Sequence, residues 1–196
     1  MTACSILTSP LPEYVTVSGM RLAIRTDFRA GILFSAVLAD PSLVPATRFR
    51  LALQFYYGTL PDGADPNEAF LAALRFYNRL PDTAEGERTD TGGTSRDAEP
   101  VFDFSVDGDR IYAAFYAAYG IDLTAASLHW WQFLALLVAL PPDCAFMRTV
   151  ALRCMDPGQV KDDDTRRRLR KAKAQVRIRR GHGDGNKEGL TWRTDR

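Results

Sequence analysis

A mainly α fold with a small N-terminal β-hairpin follows from three features of the sequence. Apolar residues recur at helical spacing in successive windows, each bounded by a capping residue on one side and Gly or Pro on the other. One short stretch instead alternates apolar with polar residues around Ser18-Gly19. Between the two groups of helical windows, residues 82–100 (DTAEGERTDTGGTSRDAEP) hold no aromatic residue and no aliphatic one larger than Ala. Such a stretch buries too little surface to offset its ordering entropy, so it reads as a flexible linker.

The hairpin comes first, with Tyr14-Val15-Thr16-Val17 and Met20-Arg21-Leu22-Ala23-Ile24 as its strands. An isolated hairpin is marginal in water, so it is expected to lie against the helices. Thr26 or Asp27 then caps a helix over about Phe28 to Leu38, with Phe28, Ile32 and Ser35/Ala36 on its buried face. Gly31 inside it costs about 1 kcal/mol relative to Ala, which points to close packing at that position. Pro45 opens the next helix, whose stripe is Phe49, Ala52, Leu53, Tyr56 and Tyr57; Gly58 and Pro61 stop it. Asp65-Pro66-Asn67-Glu68 opens a third, with Asp65 as cap and Glu68 reaching back to the cap amide. Phe70, Ala73, Leu74 and Tyr77 form its stripe, and Pro81 ends it.

Beyond the linker a helix is expected from about Asp107, buried through Ile111, Ala114, Phe115 and Ala118 and closed at Gly120-Ile121. Thr124 or Ser127 starts the next, HWWQFLALLVAL, which is apolar nearly all round and so belongs in a core or at an oligomer interface. Pro141-Pro142 ends it, and Asp143 caps a helix whose face is Phe146, Met147, Val150, Ala151 and Cys154. After Asp156-Pro157-Gly158, a last helix runs over about Val160 to Arg180, with Leu169, Ala172 and Val176 as a thin apolar stripe. The chain thus divides into 1–80 (hairpin plus about three helices), the linker at 81–101, a helical segment at 102–158, a basic helix at 159–180 and a disordered tail at 181–196.

Hydrophobic residues make up 46% and charged residues 25% of the 196, the balance of a soluble globular protein. The longest apolar stretch, Trp130 to Leu140, is far short of the roughly 20 residues of a membrane span. MTACSILTSP lacks the basic start and apolar run of a secretory signal. Cys4, Cys144 and Cys154 form no CxxC pair and read as free thiols in a reducing cytoplasm. Charge is uneven. Residues 1–160 carry net −6 and residues 161–196 net +7, with nine basic and no acidic residues within Arg166 to Arg180. Such a run is a solvated face or an interaction tail, and an acidic body with a basic tail also attracts itself or its copies.

No chemistry-bearing motif emerges: GxSxG, HExxH, P-loop and GxGxxG are absent from the sequence. His129 reads as a packing or capping residue, since no base or nucleophile is near it in sequence. His182 with Asp184 supplies only two ligands for a metal, and Asp162-Asp163-Asp164 suit capping and the helix dipole better than a cation. Cys144 and Cys154, about 15 Å apart along one helix, cannot bridge. A non-enzyme with no cofactor and no metal is expected. Neighbouring aromatics about 100° apart on a helix, as in Tyr56-Tyr57, Phe76-Tyr77 and Trp130-Trp131, cannot all face one core; Tyr56, Tyr57, Trp130 and Trp131, with Tyr119, are candidates for a partner surface. Arg166, Arg167, Arg168, Arg170 and Lys171 are the basic candidates, for an acidic protein or for phosphate.

Two segments carry a family resemblance. LPEYVTVSGMRLAIRTDFRAGILFSAVL (Leu11 to Leu38) is similar to the opening of the bacteriophage gene-product-fifteen family, with its hairpin and TDFR helix start. FDFSVDGDRIYAAFYAAYGIDLTAASLHWWQFLALLVALPPDCAF (Phe102 to Phe146) resembles its second half, through Asp109, Ile111, Tyr112, Phe115, Tyr119, Gly120-Ile121-Asp122-Leu123 and Leu128-His129-Trp130-Trp131. The resemblance spans about residues 11–180 and implies a phage or prophage tail-module protein without catalytic residues. It further implies a tail assembly chaperone in the cytoplasm of the bacterial host. Its partners would be the tape measure protein and the tail tube protein, with self-association also in play. Two alternatives stand beside it: a nucleic-acid-binding module using the basic helix, and a structural tail protein retained in the virion.

Overall fold

The computed structural model describes residues 6–80 and 101–178, in the order β1 (Tyr14–Val17), β2 (Met20–Ala23), α1 (Phe28–Ala39), α2 (Pro45–Tyr57), α3 (Pro66–Tyr77), α4 (Phe104–Tyr119), α5 (Trp130–Val138), α6 (Ala145–Cys154) and α7 (Asp163–Val176). The expected linker, the Gly-rich tail, the last residues of the basic helix and Cys4 lie outside these residues. Mainly helical with one N-terminal hairpin is the observed class.

β1 and β2 pair antiparallel with Val17 opposite Met20, and the two-residue loop has both residues at positive φ (Ser18 51°, Gly19 74°). That loop matches the right-handed twist of the strands. Val15 and Val17 face the core, and the loop is fastened to α3. Glu68 Oε2 accepts from the Ser18 amide at 2.7 Å and from its hydroxyl at 2.9 Å, while the Ser18 hydroxyl accepts from the Asp65 amide. The expected reach of Glu68 back to its own cap is therefore replaced. Ser18 satisfies the Asp65 amide, and Asp65 caps Asn67 as anticipated.

Other caps differ from expectation in instructive ways. α4 starts three residues earlier than its apolar stripe suggests, because the Asp103 carboxylate accepts from the Ser105 and Val106 amides. α5 is capped by His129 rather than by Thr124 or Ser127, with Gln132 completing a reciprocal capping box. The Cys144 thiol, rather than Asp143, caps α6 through the Met147 amide. Asp162 caps α7 on the Thr165 amide.

The buried stripes also shift. In α1 they are Phe28, Ala30, Gly31, Phe34 and Val37, and Ile32 is only half-buried. In α3, Ala69, Ala72, Ala73 and Phe76 are buried, while Phe70, Leu74 and Tyr77 are half-buried. Ala118, Ala151 and Cys154 are exposed. The face of each helix is set by how many neighbours it has, which periodicity alone does not state.

α5 locks the two helical segments into one core. The Trp130 indole donates to the Tyr77 carbonyl at 2.9 Å and the Trp131 indole to the Phe76 carbonyl at 2.8 Å. Both acceptors are end-of-helix carbonyls of α3, where the regular helical bonds run out; that of Phe76 also accepts from the Arg79 amide at 3.1 Å. Around them, Phe28, Phe115 and Trp130 stack on Phe133 with centroids 4.8, 5.2 and 5.8 Å away. Backbone bonds from Phe28 N to Leu128 O and from Trp130 N to Thr26 O join the starts of α1 and α5. The Arg29 guanidinium adds three carbonyls of the 123–126 loop. Gly31 has the close contact its sequence position implies: a Cβ there would meet the Trp130 ring at 2.4 Å.

Candidate interaction surfaces

Of the aromatic candidates, none forms an open surface. Tyr56 is fully buried and Trp130 and Trp131 nearly so. Tyr57 and Tyr119 are half-buried and donate their hydroxyls to the Ala69 and Leu136 carbonyls, both at 2.9 Å. The inference from angular spacing is corrected here. α5 packs on α1 and α4 while its tryptophans also reach the end of α3, so two adjacent rings are both buried. The Tyr56 hydroxyl has no hydrogen-bond partner among the described residues, and burial pushes its phenol far above the ordinary range.

His129 is committed to the fold. Its Nδ1 accepts from the Trp131 amide at 3.0 Å, which places the ring proton on Nε2, 3.1 Å from the Pro12 carbonyl. Burial holds its pKa below the ordinary value, against weaker opposing effects from the Pro12 carbonyl and Glu13. The unfolded state then takes up the proton first as pH falls. This contribution to stability is complete above about pH 6.5 and is lost as pH drops through the lowered folded value. Thermal unfolding midpoints are expected to fall between pH 7.5 and 5, and His129→Asn, which keeps a cap oxygen, should flatten that change.

A buried ion pair was not legible in the sequence. Asp107 is fully buried on α4 and binds Arg153 of α6 in a two-pronged pair, 2.6 and 2.9 Å, with Arg110 at 3.3 Å and the Asp103 amide at 3.1 Å. Burial pushes this carboxyl up, but the Arg153 hydrogen bonds, the Asp103 amide and the charges of Arg153 and Arg110 together hold it below the usual range. Arg153 also donates to the Val176 carbonyl at the end of α7 and to the Val101 carbonyl. The group fastens α4, α6 and α7 to one another.

α7 itself lies on the body with no fully buried residue. Arg166 is turned to the Val160 carbonyl (Nε 3.0 Å, Nη2 2.7 Å) and to Asp163, and Arg167 pairs with Asp164 at 3.2 Å. Arg168, Arg170 and Lys171 are exposed. Of the five basic candidates, Arg166 is thus the one most engaged in holding the helix start.

Large hydrophobics are exposed singly on several elements, among them Leu33, Leu71 and Val138, and α4 carries an open face on which two exposed aromatic rings meet. Tyr112 and Tyr116, one turn apart, are 36% and 58% exposed, with rings stacked 6.3 Å between centroids. Val106, Ala113 and Ala117 are exposed on the same helix. The sequence held the signal for this face: α4 is apolar on two sides, and only one of them is taken by the core residues Ile111, Ala114 and Phe115.

The sequence matches the Bacteriophage Gp15 protein family over residues 7–178, which takes in both helical segments and α7. The chain belongs to that family. No curated protein and no solved structure matches it. Among the described residues, no helix is long and apolar enough to cross a membrane, and no group of three or more His, Cys, Asp or Glu is placed to hold a metal ion.

Proposed function

We propose that this phage protein is a non-enzymatic tail assembly chaperone that binds the tape measure protein in the host cytoplasm until tail tube protein replaces it. Family membership supports the phage setting. The observation that carries the binding mode is the α4 face, where two stacked tyrosines stand beside the small residues Ala113 and Ala117. Aromatic anchors flanked by small side chains suit the apolar stripe of a long amphipathic helix, the form expected of a tape measure. Many copies along one tape would each bind modestly, so tube subunits can displace them one by one.

A photo-cross-linking residue at Tyr116 is expected to capture the tape measure in co-expressing cells, and one at exposed Asp62 is not. Capture from both positions alike, or from neither, contradicts this binding mode. The nucleic-acid reading keeps one observation in its favour, the exposed Arg168, Arg170 and Lys171 on α7. It requires affinity that falls steeply with salt.

A further inference from the structure

α4 carries three charged residues, and they leave its open face with one sign. Asp107 is buried, and Arg110 is turned to it at 3.3 Å. Asp109 is exposed, with no hydrogen bond or ion pair among the described residues. It precedes Tyr112, Ala113 and Tyr116 by the i+3, i+4 and i+7 spacings that share a helix face. Asp122, past the helix end at Gly120, adds a second carboxylate at the Tyr112 hydroxyl. The Thr124 hydroxyl and amide donate to Asp122 and hold its carboxyl below the usual range, so it stays charged. Among the described residues, no arginine or lysine lies over the Tyr112 or Tyr116 ring. An unpaired carboxylate and open aromatic faces both attract a cation, the rings through their negative quadrupole.

We infer that the α4 face recognises a basic amphipathic helix, whose apolar stripe lies on Tyr112 and Tyr116 and whose arginine or lysine, one turn along, is taken by Asp109 and the tyrosine rings. The inference rests on the reading of α4 as the tape-measure face. It narrows the tape segments that qualify to those with a cation beside the apolar stripe. Charge complementarity selects the basic segment, because an acidic one would set like charges against Asp109 and Asp122. The small side chains of Ala113 and Ala117 leave room for the methylene stem of the cation along the face. Apolar contact carries most of the binding, and the charge decides which segment is chosen. A second copy of the chain is the competing occupant, since α7 is itself a basic helix with a thin, half-buried stripe of Leu169, Ala172 and Val176.

The test uses the full chain and three fluorescein-labelled helical peptides with a common leucine stripe, flanked by arginine, glutamine or glutamate. The arginine peptide is expected to bind about fivefold tighter than the glutamine peptide, and the glutamate peptide more weakly than either. Asp109→Asn should bring the ratio of the first two to about one, and Asp109→Lys should put the glutamate peptide first; circular dichroism checks that both variants fold. At about 0.5 M salt the ratio should shrink while the glutamine peptide stays bound. Tyr116→Ala should weaken all three peptides. If it does so but the arginine preference survives Asp109→Asn, this inference is overturned while the tape-measure face stands. If Tyr116→Ala leaves all three affinities as they were, both fall together. The inference is also overturned if the arginine peptide binds only once Asp109→Asn has dissociated an oligomer of the chain, for the face then belongs to a second copy.

Discussion

An Asp107→Ala variant is expected to lose about 3–5 kcal/mol of folding stability, because it strands the Arg153 guanidinium in a site where its side chain is only 8% exposed. The cost comes from leaving one buried charge without its partner. Replacing both members, Asp107→Ala with Arg153→Leu, should therefore recover much of the loss, a coupling that a double-mutant cycle in denaturant reads directly. Recovery will be incomplete, since Arg153 also holds the Val176 and Val101 carbonyls. The pH dependence has a definite sign. The folded carboxyl titrates below the ordinary value of about 3.9, so its contribution is complete above about pH 4 and is lost as pH falls through the lowered folded value. Acid unfolding of the wild type in that range should be blunted in the double variant.

The second large effect concerns the contact between Gly31 and Trp130. Trp130→Ala is expected to cost about 3–5 kcal/mol, as for other buried aromatics cut to alanine. Gly31→Ala should cost about 1–3 kcal/mol, despite the gain of about 1 kcal/mol in helix propensity. The new methyl would overlap the indole at 2.4 Å, and that ring is held by the Tyr77 carbonyl and by stacking on Tyr77 and Phe133. The two changes together should cost clearly less than their sum, because the cavity left by the indole accepts the methyl. Urea unfolding of the four proteins supplies the cycle; strict additivity would show that the ring does not set the limit at Gly31.

What the sequence revealed and what it hid divide along physical lines. Local chemistry was readable. Ser18-Gly19 specified the hairpin loop, Asp65-Pro66 the start of α3, Gly120 a left-handed helix end at φ 66°, and Gly31 a close approach. The partner of that approach was not readable, since Trp130 is 99 positions away in the chain. Helix faces were misjudged where a helix has neighbours on more than one side. α5 buries both tryptophans for that reason, and the partner surface assigned to them lies instead among the core contacts. In the sequence Asp107 marked only the approximate start of a helix, and its guanidinium partner 46 residues away had no local signature. Of the two α4 tyrosines, Tyr112 entered the sequence reading through the family resemblance and Tyr116 not at all, because periodicity names the best apolar face and gives no weight to a second.

The account rests most heavily on apolar binding of the tape measure, and one experiment addresses it directly. The wild-type chain is co-expressed with the tape measure protein of the same phage or prophage, and the soluble fraction is sized by light scattering at about 0.15 M and about 0.5 M salt, where exposed charges are progressively screened. The account predicts a soluble complex of several copies per tape measure at both salt concentrations. A tape measure that aggregates while this protein elutes alone, or a complex that dissolves into its components at the higher salt, would contradict it.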